Sequence, residues 1–302
     1  MPQFKSILLV NDGLSDEREA FKQALSQARN NDASLKVVTI CPAFDKPLAP
    51  YQAKFEALLI ERARESVAAA CAALKISEDA IALSFEVEAG EAPATRIIRH
   101  VLRNGHDLVL KPAPAVDTKK GFQAIDMQLL RKCPCPVWLS RPISDARKEM
   151  KVAVAVDPEG PPPEGDALAV QLLRLARALA DECDGKLEIV SAWDFPYEEY
   201  LRNSSRIRVS ETELQEMVRE TEKRRRDKLN LLLKTAAIAG EKRLSHLRGA
   251  AGSMIPEFVE TNGVDILVMG TVARTGVAGF IMGNTAENVL RNLSCSLLAL
   301  QP

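Results

Sequence analysis

LLRKCPCPVWLSRP at 129–142 and VLRNLSCSLLALQP at 289–302 decide the architecture. They align without a gap, matching Leu130 with Leu290, Cys135 with Cys295 and Pro142 with Pro302 at one constant offset. Just upstream, HDLVLK (106–111) matches VDILVMG (264–270), with Asp107 against Asp265. The same order repeats further back. FKSILLV (4–10) ends in Asn11-Asp12-Gly13, and KVAVAV (151–156) ends in Asp157-Pro158. Each is followed by a helical pattern, Phe21, Ala24, Leu25 and Ala28 in one and Leu168, Leu172, Leu175 and Leu179 in the other, then by a second apolar run, LKVVTI or LEIVSA. A unit written twice is a duplicated domain. The polar stretch Ile143–Glu149 reads as the linker, giving domains at 1–144 and 150–302.

Short buried-type strands alternating with helices require parallel strands joined by helical crossovers. The expected fold is α/β: two tandem doubly wound, Rossmann-like domains, each with a five-stranded parallel sheet. Strands are expected near 5–10, 35–40, 82–88, 107–111 and 136–140, then near 151–156, 187–192, 243–248, 265–269 and 296–300. The terminal strands of the two halves, near Val137–Ser140 and Leu297–Leu300, are candidates for the central contact. A long helix should start at Ser210-Glu211-Thr212-Glu213, a capping box, and bury Leu214, Met217 and Thr221.

Composition narrows the function classes. The chain is 46% hydrophobic and 27% charged with a formal net charge of −1, so no global field draws it to nucleic acid or anionic membrane. No run approaches the roughly 18 apolar residues of a spanning helix, and MPQFKSILLVNDG lacks the apolar core of a signal peptide. Six scattered cysteines form no disulfide framework, which points to a reducing cytoplasm.

The strand ending in Val156-Asp157, the strand Val264–Gly270 and the loop-helix Gly283–Leu290 together resemble the universal stress protein family over essentially the whole chain. HDLVLK, LLRKCPCPVW, LRGAAG and GNTAE are similar to its tandem, E-type bacterial members. The resemblance implies a stress-response role. Nucleotide-binding members carry Gly-x2-Gly-x9-Gly-(Ser/Thr) after the fourth strand. Here the first glycine is Gly270 and the third Gly283, while Ala273 and Asn284, followed by Thr285, stand at the other two positions. The implied site is Ala155, Val156, Asp157 and Ala192 toward ribose and adenine, and Met269, Gly270, Ala273, Arg274, Gly283, Asn284 and Thr285 toward phosphate. The implied ligand is ATP with Mg, with no further cofactor.

A structural reading of the same stretch stands beside it. Asn284 with Glu287 would make a helix cap, and Gly276 and Gly279 an ordinary loop. The first half departs further, with Pro112-Ala113-Pro114 at the glycine turn and Ala124-Ile125-Asp126 at the last helix start, where a carboxylate repels phosphate while capping the helix. No catalytic constellation is assigned. His100, His106 and His246, isolated in sequence, read as ordinary surface or half-buried residues rather than as a base or ligand, Cys133 and Cys135 as buried free thiols, and Lys223–Arg226 as a solvated helix face. Three functions remain: a nucleotide-binding stress protein, a non-nucleotide or apolar-ligand interaction scaffold, and a slow ATP hydrolase. The expected partners are a small-molecule nucleotide, no nucleic acid and no membrane, with the chain a monomer of pseudo-dimeric halves or a homodimer.

Overall fold

The computed structural model describes residues 4–301 apart from 16, 115–120, 143–149, 161–162, 184, 205 and 272–281. In chain order the first half runs β1 (Ser6–Asn11), α1 (Arg18–Asn31), β2 (Ser34–Cys41), α2 (Gln52–Leu74), β3 (Leu83–Ala89), α3 (Pro93–Asn104), β4 (Leu108–Pro112), α4 (Ala124–Lys132) and β5 (Val137–Ser140). The second runs β6 (Lys151–Ala155), α5 (Glu164–Glu182), β7 (Lys186–Trp193), α6 (Glu198–Asn203), α7 (Glu211–Ala236), β8 (Lys242–Arg248), α8 (Ala251–Asn262), β9 (Ile266–Gly270), α9 (Asn284–Asn292) and β10 (Ser296–Leu300). The expected strands are matched to within a residue or two; β1, β4, β6, β9 and β10 are apolar runs buried on both faces, whereas the edge strands β3 and β8 interleave polar residues and are mostly half-buried or exposed.

Two compact units result. In the first, the strand order is β3-β2-β1-β4-β5, all parallel. Phe21, Ala24, Leu25 and Ala28 of α1 lie against this sheet fully buried, as their spacing dictates. In the second the order is β9-β6-β7-β8, again parallel. Leu172, Leu175 and Leu179 of α5 are buried there, while Leu168 is half-buried. Both orders reverse direction beside the first strand, between β1 and β4 and between β6 and β9. Such a switch point opens a crevice at the carboxyl ends of the strands.

The last strand departs from a simple five-plus-five division. β10 belongs by repeat to the second half but is counted with the first compact unit. There it pairs antiparallel with β5, Leu297 with Leu139, Leu298 with Trp138 and Ala299 with Val137. The terminal strands do meet as expected.

The capping box of α7 is present: Ser210 Oγ accepts from the Glu213 N–H at 3.2 Å, and Glu213 accepts from the Ser210 N–H at 2.9 Å. Leu214 and Thr221 are buried as predicted, but Met217 is 40% exposed and lies off the buried stripe.

Candidate crevice of the second unit

Three stretches of the second unit converge at its switch point. Ala155 closes β6 in register with Met269 of β9 and Val190 of β7, and the Val156 N–H donates to the Val190 carbonyl at 2.9 Å. Ala192 lies two residues beyond Val190 on the same strand. Gly283 is tied back by its N–H to the Thr271 carbonyl at 3.1 Å, which sets the start of α9 beside the end of β9. Ala155, Val156 and Met269 are buried, Ala192, Gly270 and Gly283 half-buried, and Asp157, Asn284 and Thr285 exposed. Ala273, Arg274, Gly276 and Gly279 lie outside the described residues.

The helix start corrects one expectation. Gly283 is the N-cap residue, extended at φ −70° and ψ 144°, and Asn284 is already the first helical residue. The N-cap position of α9 therefore makes no side-chain cap hydrogen bond. The Asn284–Glu287 capping pair is therefore not formed, because the carbonyl opening the helix belongs to Gly283, which receives the Glu287 N–H at 3.0 Å. The helix thus starts at a residue with no side chain to cap it, with Asn284 and Thr285 exposed in its first turn.

Other features of the crevice have internal causes. A methyl group on Gly270 would stand 3.0 Å from Leu168 Cδ2, so glycine here lets β9 pack closely on α5. Asp157 Oδ1 accepts the Glu159 N–H at 3.0 Å, the local turn favoured for a lone strand-end aspartate. Gly160 and Gly165 touch backbone to backbone, since a Cβ on Gly165 would fall 2.6 Å from the Gly160 carbonyl carbon. This doubles the loop after β6 back on itself.

Glu159 then anchors that loop to α7, pairing with Arg225 at 2.7 Å and Arg224 at 3.1 Å. Arg225 is only 12% exposed, so the basic run Lys223–Arg226 is not purely a solvated face. Sequence spacing missed this pair. The available signal was a glutamate in a glycine-flanked loop facing a helix with surplus arginines.

The corresponding crevice of the first unit is filled by its own side chains. Asp126, fully buried at the third position of α4, accepts from the Gln123 N–H at 2.9 Å in a capping box. Its other oxygen pairs with Lys111 at 2.9 Å, and Lys111 also donates to the Pro112 carbonyl at 2.9 Å. Arg141, itself buried, donates to the carbonyls of Pro114 and Gly121 and lies over the Phe122 ring at 4.8 Å. At the end of β1, burial pushes the Asp12 carboxyl up, but the N–H groups of Leu14 and Ser15 and the Ser15 hydroxyl hold it below its ordinary value. Glu17 is pushed up to about 8 by burial and by the Asp12 charge. The helix start that could meet an anion is thus already occupied by a paired carboxylate.

Of the histidines, His246 is half-buried as expected, but His100 and His106 are buried. His100 and His106 stack at 5.2 Å, and His246 stacks on Trp193 at 6.0 Å. Among the described residues, Glu86, Glu88 and His100 bring ligand-type atoms within 4.8 Å of one another. Their carboxylates already face Lys36 at 2.5 Å, Arg96 at 3.1 Å and Arg103 at 2.9 Å, so the group is an ion-pair network rather than a cation site.

Two parallel αβ units, each with a switch point beside its first strand, define a duplicated, doubly wound α/β fold. The model of the universal stress protein family matches residues 3–141 and again 150–301, and the chain belongs to that family. A Haemophilus influenzae universal stress protein E homolog is 26% identical over 99% of this chain and 98% of its own length. The Escherichia coli universal stress protein E is 31% identical over 70% of this chain and 65% of its own. Among solved structures, a functionally unknown Pseudomonas aeruginosa protein superposes with a TM-score of 0.72 at 24% identity, covering 100% of this chain and 94% of that one. An Archaeoglobus fulgidus universal stress protein gives 0.59 at 15% identity, covering 98% and 96%. The chain is thus a tandem, two-domain, E-like member, and its family supports a role in stress response. Among the described residues no helix is long and apolar enough to cross a membrane.

Proposed function

We propose that this protein serves the stress response in the cytoplasm by binding a nucleotide, ATP with magnesium, in the crevice of its second unit. Phosphates would lie against Gly270, Ala273, Gly283, Asn284 and Thr285, with Arg274 adding a charged donor. Ribose and adenine would lie beside Asp157 and Ala192 over Ala155, Val156 and Met269. The observation that carries this reading is the contrast between the two helix starts: the N-cap of α9 makes no side-chain cap hydrogen bond, whereas α4 is closed by the buried Asp126–Lys111 pair. A helix N-terminus without such a cap, beside glycine-bearing strand ends, favours an anion.

A second reading, an interaction scaffold without nucleotide, draws on the packing cause for Gly270 and on the Asp157–Glu159 turn. Calorimetric titration of ATP with magnesium decides between them. Wild type and Asp126→Asn should bind alike, and Gly283→Asp should lose binding tenfold or more, through carboxylate repulsion at the dipole end. Binding that survives Gly283→Asp unchanged would sink the site. No wild-type binding at millimolar ATP would leave the scaffold.

A further inference from the structure

Away from both crevices, the turn between α4 and β5 brings two sulfurs together. Cys133 ends α4, its N–H donating to the Leu129 carbonyl at 2.8 Å, and Cys135 stands two residues before β5. Pro134 between them limits the backbone to one φ region. The Sγ atoms are 3.6 Å apart. Cys133 is fully buried, and Cys135 keeps a 9% margin open to solvent. A disulfide bond of about 2.05 Å needs a further approach of roughly 1.5 Å. The matched turn of the second half holds Leu293 and Cys295, so the pair is particular to the first half.

The two thiols are chemically unequal. The hydrogen bond between the two sulfurs holds the Cys133 thiol below its ordinary value. Cys135 is pushed well above the usual thiol range by that same hydrogen bond and by burial. One sulfur is therefore the better thiolate, and the other is placed as its resolving partner.

From this geometry we propose that Cys133 and Cys135 form a reversible two-electron oxidation site, closing to an intramolecular disulfide when a hydroperoxide reaches them. The Cys133 thiolate attacks one peroxide oxygen. The O–O bond breaks, Cys133 becomes a sulfenic acid, and the other oxygen leaves as an alcohol, or as water from hydrogen peroxide, taking up the thiol proton. The Cys135 sulfur then attacks the Cys133 sulfur. The S–S bond forms, the S–O bond breaks, and hydroxide leaves as water with the Cys135 proton. Two thiols and one hydroperoxide thus yield one disulfide, one alcohol and one water. Of the pair only Cys135 keeps any exposed surface, so the oxidant must be small.

The experiment treats the folded full chain with hydrogen peroxide, alkylates the remaining thiols and maps them by mass spectrometry. The peptide carrying both residues should lose two hydrogens and both alkyl labels, and dithiothreitol should restore them. Half-exposed Cys183 serves as the internal gauge of indiscriminate oxidation. In Cys135→Ser protein, Cys133 should be trapped as a 1,3-dione adduct of the sulfenic acid. The proposal is overturned if both thiols stay alkylatable at doses that oxidise Cys183, if they close only in denaturant, or if no adduct forms on Cys133 in Cys135→Ser protein.

Discussion

Lys111 and Asp126 show how one pair of side chains can retire a binding crevice. Lys111 occupies the strand-end position that Met269 holds in the second half, and Asp126 the helix position that Ala286 holds. Their side chains are 14% and 0% exposed, so the ion pair is effectively buried. Breaking such a pair by removing one partner leaves an uncompensated buried charge and costs about 3–5 kcal/mol, whereas neutralising both partners costs far less. Urea unfolding of the full chain should therefore show Lys111→Met destabilised by roughly 3 kcal/mol, with Lys111→Met/Asp126→Asn recovering most of the loss. Equal losses in the two proteins would mean that Lys111 acts through packing alone. The repulsive carboxylate and its capping role were legible in the sequence. Its lysine partner was not, because the two are distant in the chain and only the fold brings β4 against the start of α4.

At the scale of elements, strand positions were legible to within a residue or two, most plainly where burial on both faces leaves an uninterrupted apolar run, as in Ile7–Val10 or Val152–Val156. Helix starts were less legible. Ser210–Glu213 was read correctly, but Asn284 was offered as a cap when the chain starts α9 one residue earlier, at Gly283. A cap depends on the φ and ψ of a single residue, which the pattern of polar residues does not fix. Two of the histidines were misread for a related reason. His100 on α3 and His106 before β4 meet only because the chain turns back at Gly105. His106 faces the Ser6 hydroxyl at 2.8 Å, the His100 ring, Lys36, Asp107 and Glu86. Burial, then the His100 and Lys36 charges, push it down to about 4, against the raising pull of Asp107 and Glu86. The unfolded chain, with an ordinary imidazole near 6.5, therefore takes up a proton that the folded chain refuses between about pH 6.5 and 4. The stabilising contribution is complete above pH 6.5 and is lost as pH falls through 4. Its slope approaches about 1.4 kcal/mol per pH unit for one proton. Glu17, raised to about 8, gains stability over the same range and opposes this slope, so the test is the difference: between pH 7 and pH 5 the urea midpoint of His106→Gln should fall less, or rise more, than that of wild type. Burial lowers His246 as well, so part of the slope should survive in that variant. An identical slope in both proteins would remove His106 from the account.

For the whole molecule, the duplication was legible because the two terminal strings match without a gap, and the meeting of terminal strands followed from their apolar, domain-ending character. What the repeat could not convey is that β10 is counted with the first unit. The chain thus completes its first sheet with its last strand, and residues 1–144 by themselves lack that edge. In such a fragment β5 would present Val137, Trp138 and Leu139, each buried in the full chain, beside unpaired backbone groups. An exposed, apolar strand edge is a template for pairing with another copy. A 1–144 fragment should therefore self-associate or precipitate at concentrations where the full chain does not. The measurement is light scattering coupled to size exclusion over a concentration series, with thermal unfolding alongside. Trp138→Lys in the fragment places a charge on the bare edge strand and should reduce association while lowering stability further, since Trp138 is among the largest fully buried side chains. A wild-type fragment that stays monomeric at high concentration, and melts as the full chain does, would show that β10 adds nothing to the first unit. A full chain that forms a stable tetramer would instead place a self-pairing surface outside the β5–β10 seam.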